Sequence, residues 1–486
     1  MNMLRRLLIF VILLVLKLSL FGQGNYTLYF MDRVPQSNIL NPAFQPKCNV
    51  YYSLSSFYVD FGNSTFSLSD ILIKSPNSSV LITPLSEKAD SNTRAQFLNK
   101  LKNRNTLYAL TSNDIISMGF RKGDFYFTLG ATLKNRTEFD YPGDLIRFFI
   151  NGIDTATNYN FGNIGTHYSM YLELSLGISK KFNDAFSIGV RGKLLNGIID
   201  VSSGNNTFSL KSTVDPLTKL YNLDINSDMT FNAYVPIMNI PSDSLFNGKN
   251  PVAYKDPWNH LPILKSVGFA ADLGVSYFGI NKLVLSASVI DLGYINWNQD
   301  VSNISLKGKF NFHGVDFKID STKEILKTMS DSLKNSFKIT QSKTSYKTWL
   351  PTRIYAGVEF LPEEYFSLGL LSYTQVYKKE ITQQLTVSAN IKPFNMWHLS
   401  TNYSVFNNGF SSLGLGVALK LAVLQLYLIS DNIPVRFGKY NGSPLVPYKL
   451  QSFNCRFGLN LVFGCNTKKK KQGDKPLIFE DVLMEK

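Results

Sequence analysis

The chain has 486 residues and a formal net charge of +15, and 13% of its residues are aromatic, with 36 Phe and 25 Tyr. Its mean hydropathy is only −0.04, because apolar residues alternate with polar ones and do not gather into long runs. With three cysteines, the chain cannot be a disulfide-rich scaffold or carry a cysteine-cluster metal site. Low average hydropathy combined with many aromatic residues is typical of proteins that cross a membrane with β-strands.

The N-terminus has the organisation of a secretory signal peptide. Arg5 and Arg6 precede an apolar run over residues 7–21, and the small residue Gly22 follows it. We therefore predict a signal peptide over residues 1–22. A transmembrane anchor is the alternative, although the run is short for one. A secreted chain is not expected to meet nucleic acid, so the positive charge does not predict a nucleic-acid partner.

Residues 23–47 differ from everything that follows them. They lack a two-residue alternation, and Asn41-Pro42 is a turn-forming pair. An irregular segment cannot leave its backbone groups unpaired in hydrocarbon, but it can pair them against an inward polar wall. If the rest of the chain forms a membrane barrel, as the next pattern indicates, we expect this segment to plug it. The candidate gate residues are Asn41, Pro42 and Phe44.

Alternation with a period of two runs through most of residues 48–465. In residues 452–463, apolar side chains at every second position face one way, and small, polar or charged side chains face the other. A run of about ten residues with this pattern is what a strand needs to cross a bilayer as part of a barrel. The pattern recurs in residues 170–179, 267–277 and 353–360. It predicts an all-β fold, a transmembrane antiparallel outer-membrane β-barrel of about 14 strands, within a range of about 12 to 18.

A water-soluble β-sandwich would also alternate, since each of its sheets has a wet face. The predicted strands are about 10 to 14 residues long, against about five or six in soluble proteins, which favours the barrel. The polar face is also rich in Gly and Ser, which suits a crowded lumen. Residues 135–166 are predicted to be a polar connection and residues 324–337 a short amphipathic helix. Residues 466–486 form a basic tail, which we expect on the periplasmic side.

Seven charged residues fall on the predicted inward face, where they need partners or water. They either form a structural network of salt bridges and hydrogen bonds or line a passage and set its selectivity. These candidate lumen-lining residues are Glu173, Arg191, Lys193, Asp272, Arg353, Glu359 and Arg456.

Catalytic and metal-binding motifs are absent from the sequence. The four histidines do not form an HExxH pattern, and neither a GxSxG nucleophile motif nor a P-loop is present. His398 and Ser400 would share one face of a strand, but a barrel phospholipase needs such a pair facing outward, so a polar position in the lumen or at its rim is the preferred interpretation. We predict no enzyme activity, no catalytic, metal-binding or cofactor-binding residues, and no cofactor.

Cys48 and Cys465 lie at the two ends of the predicted barrel. We expect them to be neighbours at its seam, on the periplasmic side. A disulfide between them is one alternative, because the periplasm is oxidising. The other is a pair of free thiols, because a barrel does not need a covalent cross-link to close.

Three short motifs resemble those of outer-membrane barrels from Bacteroidota-type bacteria. They are "NPAF" at residues 41–44, "DLG-x-I-x-W" at residues 291–297 and "LY-x-x-x-DN" at residues 426–432. The chain is thereby similar to a conserved domain of unknown function that is related to the long-chain fatty-acid transporter FadL and to the type IX secretion barrels PorV and PorP. The resemblance implies a barrel with an N-terminal plug, and it transfers no catalytic residues.

Two functions remain as hypotheses. The first is a FadL-like channel for hydrophobic or amphipathic solutes, whose partner would be a hydrophobic small-molecule substrate. The second is a non-transporting scaffold or shuttle for type IX secretion or surface assembly, whose partners would be secretion-system proteins. For both we expect localisation in the cell outer membrane and contact with its lipid and lipopolysaccharide. A side opening, or a continuous apolar tunnel past residues 23–47, would favour the channel.

Overall fold

The structure is a computed structural model. It describes residues 25–71, 73–74, 81–84, 89–151, 158–183, 185–204, 206–218, 221–236, 238–239, 252–253, 264–315, 337–378, 380–406, 411–433, 436–438, 446–448 and 451–465.

Fourteen antiparallel strands in this described part of the chain close into a single barrel. Each strand pairs with the next along the chain, and the last pairs with the first. The all-β barrel predicted from the sequence is therefore confirmed. Its strands are β1 (Cys48–Asn63), β2 (Asn105–Lys122), β3 (Phe125–Tyr141), β4 (Gly165–Asn183), β5 (Phe186–Ser203), β6 (Val267–Ile280), β7 (Leu283–Trp297), β8 (Thr352–Glu363), β9 (Phe366–Tyr377), β10 (Glu380–Ile391), β11 (Trp397–Phe406), β12 (Ser411–Leu421), β13 (Leu424–Ser430) and β14 (Ser452–Cys465).

The seam of the barrel is the antiparallel pair β1–β14, whose register sets Cys48 opposite Cys465. The two cysteines form a disulfide, so their predicted proximity is confirmed. The bond joins residues 417 positions apart. In the chain-entropy account, a cross-link over so long a loop removes much freedom from the unfolded chain. Cys455 is a free thiol.

The two faces of the barrel wall differ as the alternation requires. On β14, Phe457 and Phe463 are 47% and 45% exposed, whereas Asn454, Arg456 and Asn460 are buried. The same outward exposure recurs around the barrel. Soluble monomers rarely expose so continuous an apolar surface, and hydrocarbon is its natural surrounding. Exposed outward side chains include Leu54, Phe61, Met118, Leu129, Leu176, Val190, Phe269, Leu273, Leu292, Val358, Leu370, Val387, Tyr403, Leu415 and Leu428.

The two ends of the barrel also differ. Connections of two to five residues join strands at the end that carries Cys48 and Cys465, and we call this the short-turn end. At the opposite, long-connection end, residues 64–104, 142–164, 204–266, 298–351 and 431–451 join consecutive barrel strands, together with two short connections at 378–379 and 407–410. Outer-membrane barrels have short turns towards the periplasm and longer loops towards the outside.

The described parts of the long connections extend the barrel. Residues 231–234 pair with residues 200–203 of β5, so the sheet continues past the barrel rim. An apolar cluster that includes Tyr159, Leu210 and Phe310 packs within this extension. The strands of the long connections that belong to the barrel sheet are Asn158–Asn160, Thr207–Val214, Tyr221–Tyr234, Val301–Val315, Phe337–Ser342 and Tyr346–Trp349. Separate two-stranded sheets are formed by Ile73–Lys74 with Leu81–Ile82, Met238–Asn239 with Val252–Ala253, and Arg436–Gly438 with Val446–Tyr448. The helices of the long connections are Leu68–Ile71, Ser91–Lys100 and Gly143–Asn151.

The prediction that residues 135–166 form a polar connection is wrong at both ends, because β3 continues to Tyr141 and β4 begins at Gly165. This part of β3 carries charged residues, so its sequence resembles a polar loop. In the structure Arg136 and Glu138 form an ion pair in the lumen. The predicted helix at 324–337 falls largely on residues 324–336, which lie outside the described residues. Among the described residues, no helix is long and apolar enough to cross a membrane.

Adjacent positions on β3 test which face meets lipid. Leu133 lies on the outward face, and Thr132 faces the lumen, where its hydroxyl donates to Asp114 Oδ1 at 2.9 Å. Leu133→Arg should cost about 2–4 kcal/mol if it lies near the bilayer midplane, because a guanidinium there loses its water. Thr132→Arg should cost less, because Asp114 and water can solvate it. The measurement is the free energy of refolding into lipid vesicles. Equal losses would mean that the two faces are wrongly assigned.

Candidate functional site in the lumen

Residues 25–47, here called the N-terminal segment, lie inside the barrel. A short helix, Tyr26–Tyr29, and a 3-10 turn, Pro35–Ile39, are its regular elements. Tyr26, Leu28, Tyr29 and Met31 are each at most 1% exposed. Between residues 25 and 44, the segment forms hydrogen bonds, ion pairs and ring contacts with strands β5 to β14 and with residues just past their ends. The segment therefore fills one side of the lumen.

Asp431, which follows β13 at the long-connection end, holds the start of the segment. Its carboxylate accepts hydrogen bonds from the Thr27 backbone N–H at 2.7 Å and from the Thr27 hydroxyl at 2.6 Å. The Asp431 backbone N–H donates to Asn454 Oδ1 at 2.7 Å. Burial raises the pKa of Asp431 to about 6, and the hydrogen bonds from Thr27 act in the opposite direction. The carboxylate thus ties the segment to β13 and β14.

An aromatic interface follows this anchor. Tyr29 stacks on Tyr355 of β8 with ring centroids 5.5 Å apart, and Tyr26 packs edge-on against Tyr373 of β9 at 5.3 Å. The hydroxyl groups of Tyr29 and Ser286 are hydrogen-bonded at 3.0 Å. Such aromatic pairs contribute about 0.5–1.5 kcal/mol each beyond the area they bury. The segment is therefore packed against the wall as tightly as a protein core.

A charged anchor lies where the segment reaches the short-turn end. The Asp32 carboxylate is 2.8 Å from Lys392 Nζ and 3.0 Å from Lys47 Nζ. Burial acts to raise the pKa of Asp32, but the ammonium groups of Lys392 and Lys47 outweigh it and hold this pKa well below its ordinary value. The next residue, Arg33, donates to the backbone carbonyl of Phe394 at 2.7 Å. The segment is thereby fastened to the turn between β10 and β11.

The Asn41-Pro42 pair, a predicted gate element, is seated on two glycines of the wall. Asn41 Oδ1 accepts from the Ala43 backbone N–H at 2.9 Å, which forms a tight local turn. A Cβ atom on Gly274 would lie 2.0 Å from Asn41 Oδ1, and one on Gly189 would lie 2.1 Å from the Pro42 carbonyl oxygen. Only glycine permits this approach at either position. The third candidate gate residue, Phe44, is buried and packs edge-on against Tyr29 at 5.1 Å.

Beside this seat, two residues further along the same two strands, the inward charges of β3 to β5 meet those of β6. Arg191 Nη1 lies 3.2 Å from Asp272, and Lys193 Nζ lies 2.8 Å from the same carboxylate. Glu173 pairs with Lys134 at 2.6 Å and with Lys193 at 3.7 Å. Each of these ions has an opposite charge within reach, which offsets the cost of removing it from water.

Asp291 completes this ion network, defined by Lys134, Glu173, Arg191, Lys193, Asp272, Asp291 and Arg353. The Asp291 carboxylate pairs with Lys193 and Arg353, and it lies 3.7 Å from Lys134 Nζ. Its backbone has φ = +59°, in a bulge of β7 opposite Asp272, and its N–H donates to Asp272 Oδ1 at 2.8 Å. The bulge turns the Asp291 side chain inward, where the alternation of a regular strand would alone have turned it out.

The network also touches the N-terminal segment, because Arg191 Nη2 donates to the Asn38 backbone carbonyl at 2.9 Å. Two predicted lumen charges lie outside it. Glu359 accepts a hydrogen bond from the Ser367 hydroxyl at 2.6 Å. Arg456 donates to Asn25 Oδ1 at 3.1 Å, beside the start of the segment. Both face inward and both are buried.

The lumen side not filled by the segment contains a cavity of about 1340 Å³, counting the part open to solvent. Its wall combines charged and hydroxyl side chains with aromatic and aliphatic ones. The segment contributes Asn25, Asn38 and Ile39 to it, and β1 to β4 contribute most of the rest. Lining side chains of β1 to β4 include Tyr51, Tyr58, Leu110, Ser112, Asp114, Ser117, Thr128, Thr132, Lys134, Arg136, His167, Tyr171, Glu173 and Ser175.

The chemistry that this lumen offers is recognition by charge and hydrogen bonds. Within the described residues, no three His, Cys, Asp or Glu side chains are grouped so that they could hold a metal ion. His398 and Ser400 are both buried on the inward face of β11, 1% and 3% exposed, and not on the lipid face that a barrel phospholipase needs.

Sequence reasoning missed several residues of the lumen. Lys134 lies on β3 just before the predicted connection at 135–166, and Asp32 belongs to a segment without alternation. Lys392 lies just past the end of β10. Asp291 is displaced by its bulge, although the "DLG" motif that contains it marked the position. Alternation along residues 125–141 would have found Lys134, and nothing in the local sequence pairs Asp32 with Lys392.

A model of a protein family matches residues 42–431, and its description is "Family of unknown function (DUF5723)". The chain belongs to this family. No curated protein matches it.

Several solved structures are similar to the fold at low identity. The toluene transporter TbuX of Ralstonia pickettii is 8% identical, with 89% of this chain and 94% of that chain covered and a TM-score of 0.39. The toluene transporter TodX of Pseudomonas putida is 9% identical, with 91% of this chain and 93% of that chain covered and a TM-score of 0.35. A FadL homologue of Pseudomonas aeruginosa is 11% identical, with 89% of this chain and 95% of that chain covered and a TM-score of 0.38. Similarity at this level carries no argument about substrate or mechanism.

The ion network makes a testable contribution to stability. Asp291→Asn should destabilise the protein by about 3–5 kcal/mol, because it leaves buried cations short of a carboxylate. Asn also adopts the left-handed backbone conformation, so the bulge is not itself disturbed. Asp228→Asn is the matched control, since it removes an exposed pair with Lys307 and should cost less than about 1 kcal/mol. Urea unfolding in detergent gives both values. A loss in Asp291→Asn no larger than in the control would contradict the network.

The Asp32 anchor predicts a pH dependence of segment docking. Since the pKa of Asp32 is held below its ordinary value of 3.8 in the docked state, its stabilising contribution is present above that value and is lost as the pH falls through the lower, docked-state pKa. Hydrogen exchange of residues 25–47, corrected for intrinsic rates, should therefore quicken on acidification below about pH 4. Asp32→Asn should exchange faster already at pH 7 and lose that acid-dependent step. An unchanged acid response in Asp32→Asn would show that another group is responsible.

Proposed function

We propose that this protein is an outer-membrane channel for amphipathic solutes, closed at rest by the N-terminal segment, and that it is not an enzyme. The observation that carries the proposal is the cavity inside a closed barrel, with Asn25, Asn38 and Ile39 of the segment in its wall. A cavity in this position can receive a solute, and displacement of the segment would connect it to the short-turn end.

The membrane assignment is supported by the outward apolar side chains and by the difference between the two barrel ends. We propose a signal peptide at residues 1–22, a plug at 23–47, a barrel at 48–465 and a basic periplasmic tail at 466–486. Residues 1–24 and 466–486 lie outside the described residues. Lipid and lipopolysaccharide would surround the barrel.

The mixed chemistry of the cavity wall favours amphipathic over purely hydrophobic solutes. Leu110, Leu350 and Tyr58 offer apolar surface, whereas Lys134 and Arg136 offer charge. A purely apolar solute would displace water from these paired charges without offering them a hydrogen bond, at a cost in free energy. A solute with an apolar part and a polar group can satisfy both kinds of surface.

The inward charges are proposed to hold the segment more than to select the solute. Arg191 bonds to Asn38, and Arg456 bonds to Asn25, so both charges act on the segment. We propose Asn41, Pro42 and Phe44 as the part of the gate that leaves the wall, because the Asn41 seat depends on shape and on a few hydrogen bonds.

Removing the segment tests the channel. Deletion of residues 25–44 should raise the uptake of the hydrophobic probe N-phenyl-1-naphthylamine in cells, with the barrel still heat-modifiable. Gly274→Val should do the same without a deletion, because its side chain occupies the seat of Asn41. Gly192→Val is the matched control, since a Cβ there meets no atom within 4 Å. Unchanged uptake in the assembled deletion variant would contradict the channel and favour a scaffold that transports nothing.

A further inference from the structure

The cavity continues along the barrel wall past the N-terminal segment, towards the short-turn end. Its lining on β3 runs from Arg136 to Thr128. Eight residues of strand correspond to roughly 26 Å at about 3.3 Å per residue. Thr128 is only three residues from the start of β3, so the cavity reaches the part of the lumen near the short-turn end while the segment is docked. We call this the lower part of the lumen.

The lower part of this wall is polar and made of small side chains. Ser117, Thr128, Thr132 and Ser175 line it. Asp114 and Arg191 line it as well, but Asp114 accepts from Thr132 and Arg191 pairs with Asp272. Hydroxyl groups both donate and accept hydrogen bonds, so they can replace the water around a neutral hydroxylated solute. An apolar solute would gain nothing from these groups. Residues 25–44 of the docked segment pack against β5 to β14, and its end at Gln45 and Pro46 reaches β2 and β4. The β1–β4 side is therefore open between these contacts and the long-connection end.

Two tyrosine rings lie beside Gly119, which pairs with Tyr51 and Thr128 on the neighbouring strands. A Cβ atom on Gly119 would lie 2.5 Å from Tyr51 Cε1 and 2.7 Å from Tyr126 Cε1, so both rings lie over this glycine. Tyr51 lines the cavity and is 4% exposed, and Tyr126 is fully buried. The Tyr126 hydroxyl donates to the carbonyl oxygen of Cys48 at 3.4 Å, beside the seam.

A polar layer lies next to the two rings. The Arg121 guanidinium is 5.3 Å from the centroid of the Tyr126 ring. It donates to Gln45 Oε1 at 2.6 Å and to the Pro46 carbonyl at 2.7 Å, which joins β2 to the end of the segment. Arg121, Gln45 and Pro46 offer polar groups that water can hydrate. The two tyrosine rings are therefore the apolar constriction at this end of the cavity.

We propose that the polar side of the lumen, between the N-terminal segment and β1 to β4, is a conduit for small neutral polyhydroxylated solutes, and that Tyr51 and Tyr126 are its gate. The conduit rests on the proposed channel function, but it does not need the segment to leave. A solute passing the rings meets serine, threonine and glycine on the wall and asparagine on the segment. Rotation of two tyrosine side chains is a smaller change than release of the whole segment with its buried contacts.

The test measures solute entry while the segment stays docked. In the full-length protein, Tyr51→Ala with Tyr126→Ala should raise the rate of arabinose-driven swelling of proteoliposomes severalfold, because both rings of the constriction are removed. Hydrogen exchange of residues 25–47 should not change, which would show that the segment is still docked. The uptake of N-phenyl-1-naphthylamine by cells should stay unchanged.

Matched variants separate the outcomes. Tyr51→Phe with Tyr126→Phe keeps both rings and should stay closed to arabinose. Adding Ser175→Trp to the alanine pair should close the path again, because the indole would fill the conduit. If the alanine pair does not assemble, Tyr51→Ala alone is measured. Assembled alanine variants with a docked segment that remain impermeable to arabinose would overturn the conduit, whatever the deletion of residues 25–44 shows about the channel.

Discussion

The docking of the N-terminal segment against the inner wall is the interaction on which the rest of the lumen depends. A barrel of this width would otherwise hold water against Tyr355, Tyr373 and the inward glycines. The segment replaces that water with aromatic contacts and with carbonyl groups that accept from Arg191 and other wall donors. The same docking confines the remaining space to the β1–β4 side, and the position of the cavity follows from it.

The three motifs by which the sequence resembles known barrels belong to this one interface. Asn41 and Pro42 sit on Gly274 and Gly189. Asp431 accepts both hydrogen bonds from Thr27. Asp291 organises the cations of the ion network, which reaches the segment through Arg191. Short motifs far apart in the chain therefore serve one physical purpose, which is to hold an irregular segment inside a barrel without leaving its polar groups unpaired.

Two sides of the lumen have different physical characters. On the β8–β9 side the contacts with the segment are dry and aromatic, and such contacts are strong and specific in shape. On the β1–β4 side the wall is lined by hydroxyl and charged groups that favour water or a polar solute. This division explains how one barrel can hold a tightly docked segment and still keep a cavity along most of its height. It also separates two ways of opening, release of the segment and movement of the tyrosine pair.

The sequence by itself determined the barrel, its inward and outward faces and the position of its seam, because a period of two along each strand and the ends of the alternating region are local properties of the chain. It also identified the inward charges on regular strands, such as Glu173, Arg191 and Asp272. Only the tertiary structure decided which of them meet. Pairing of Lys134 with Glu173 depends on the register between β3 and β4, and the inward turn of Asp291 depends on a bulge. The contacts of Asp32 with Lys392 and of Thr27 with Asp431 join residues hundreds of positions apart, which no local pattern encodes.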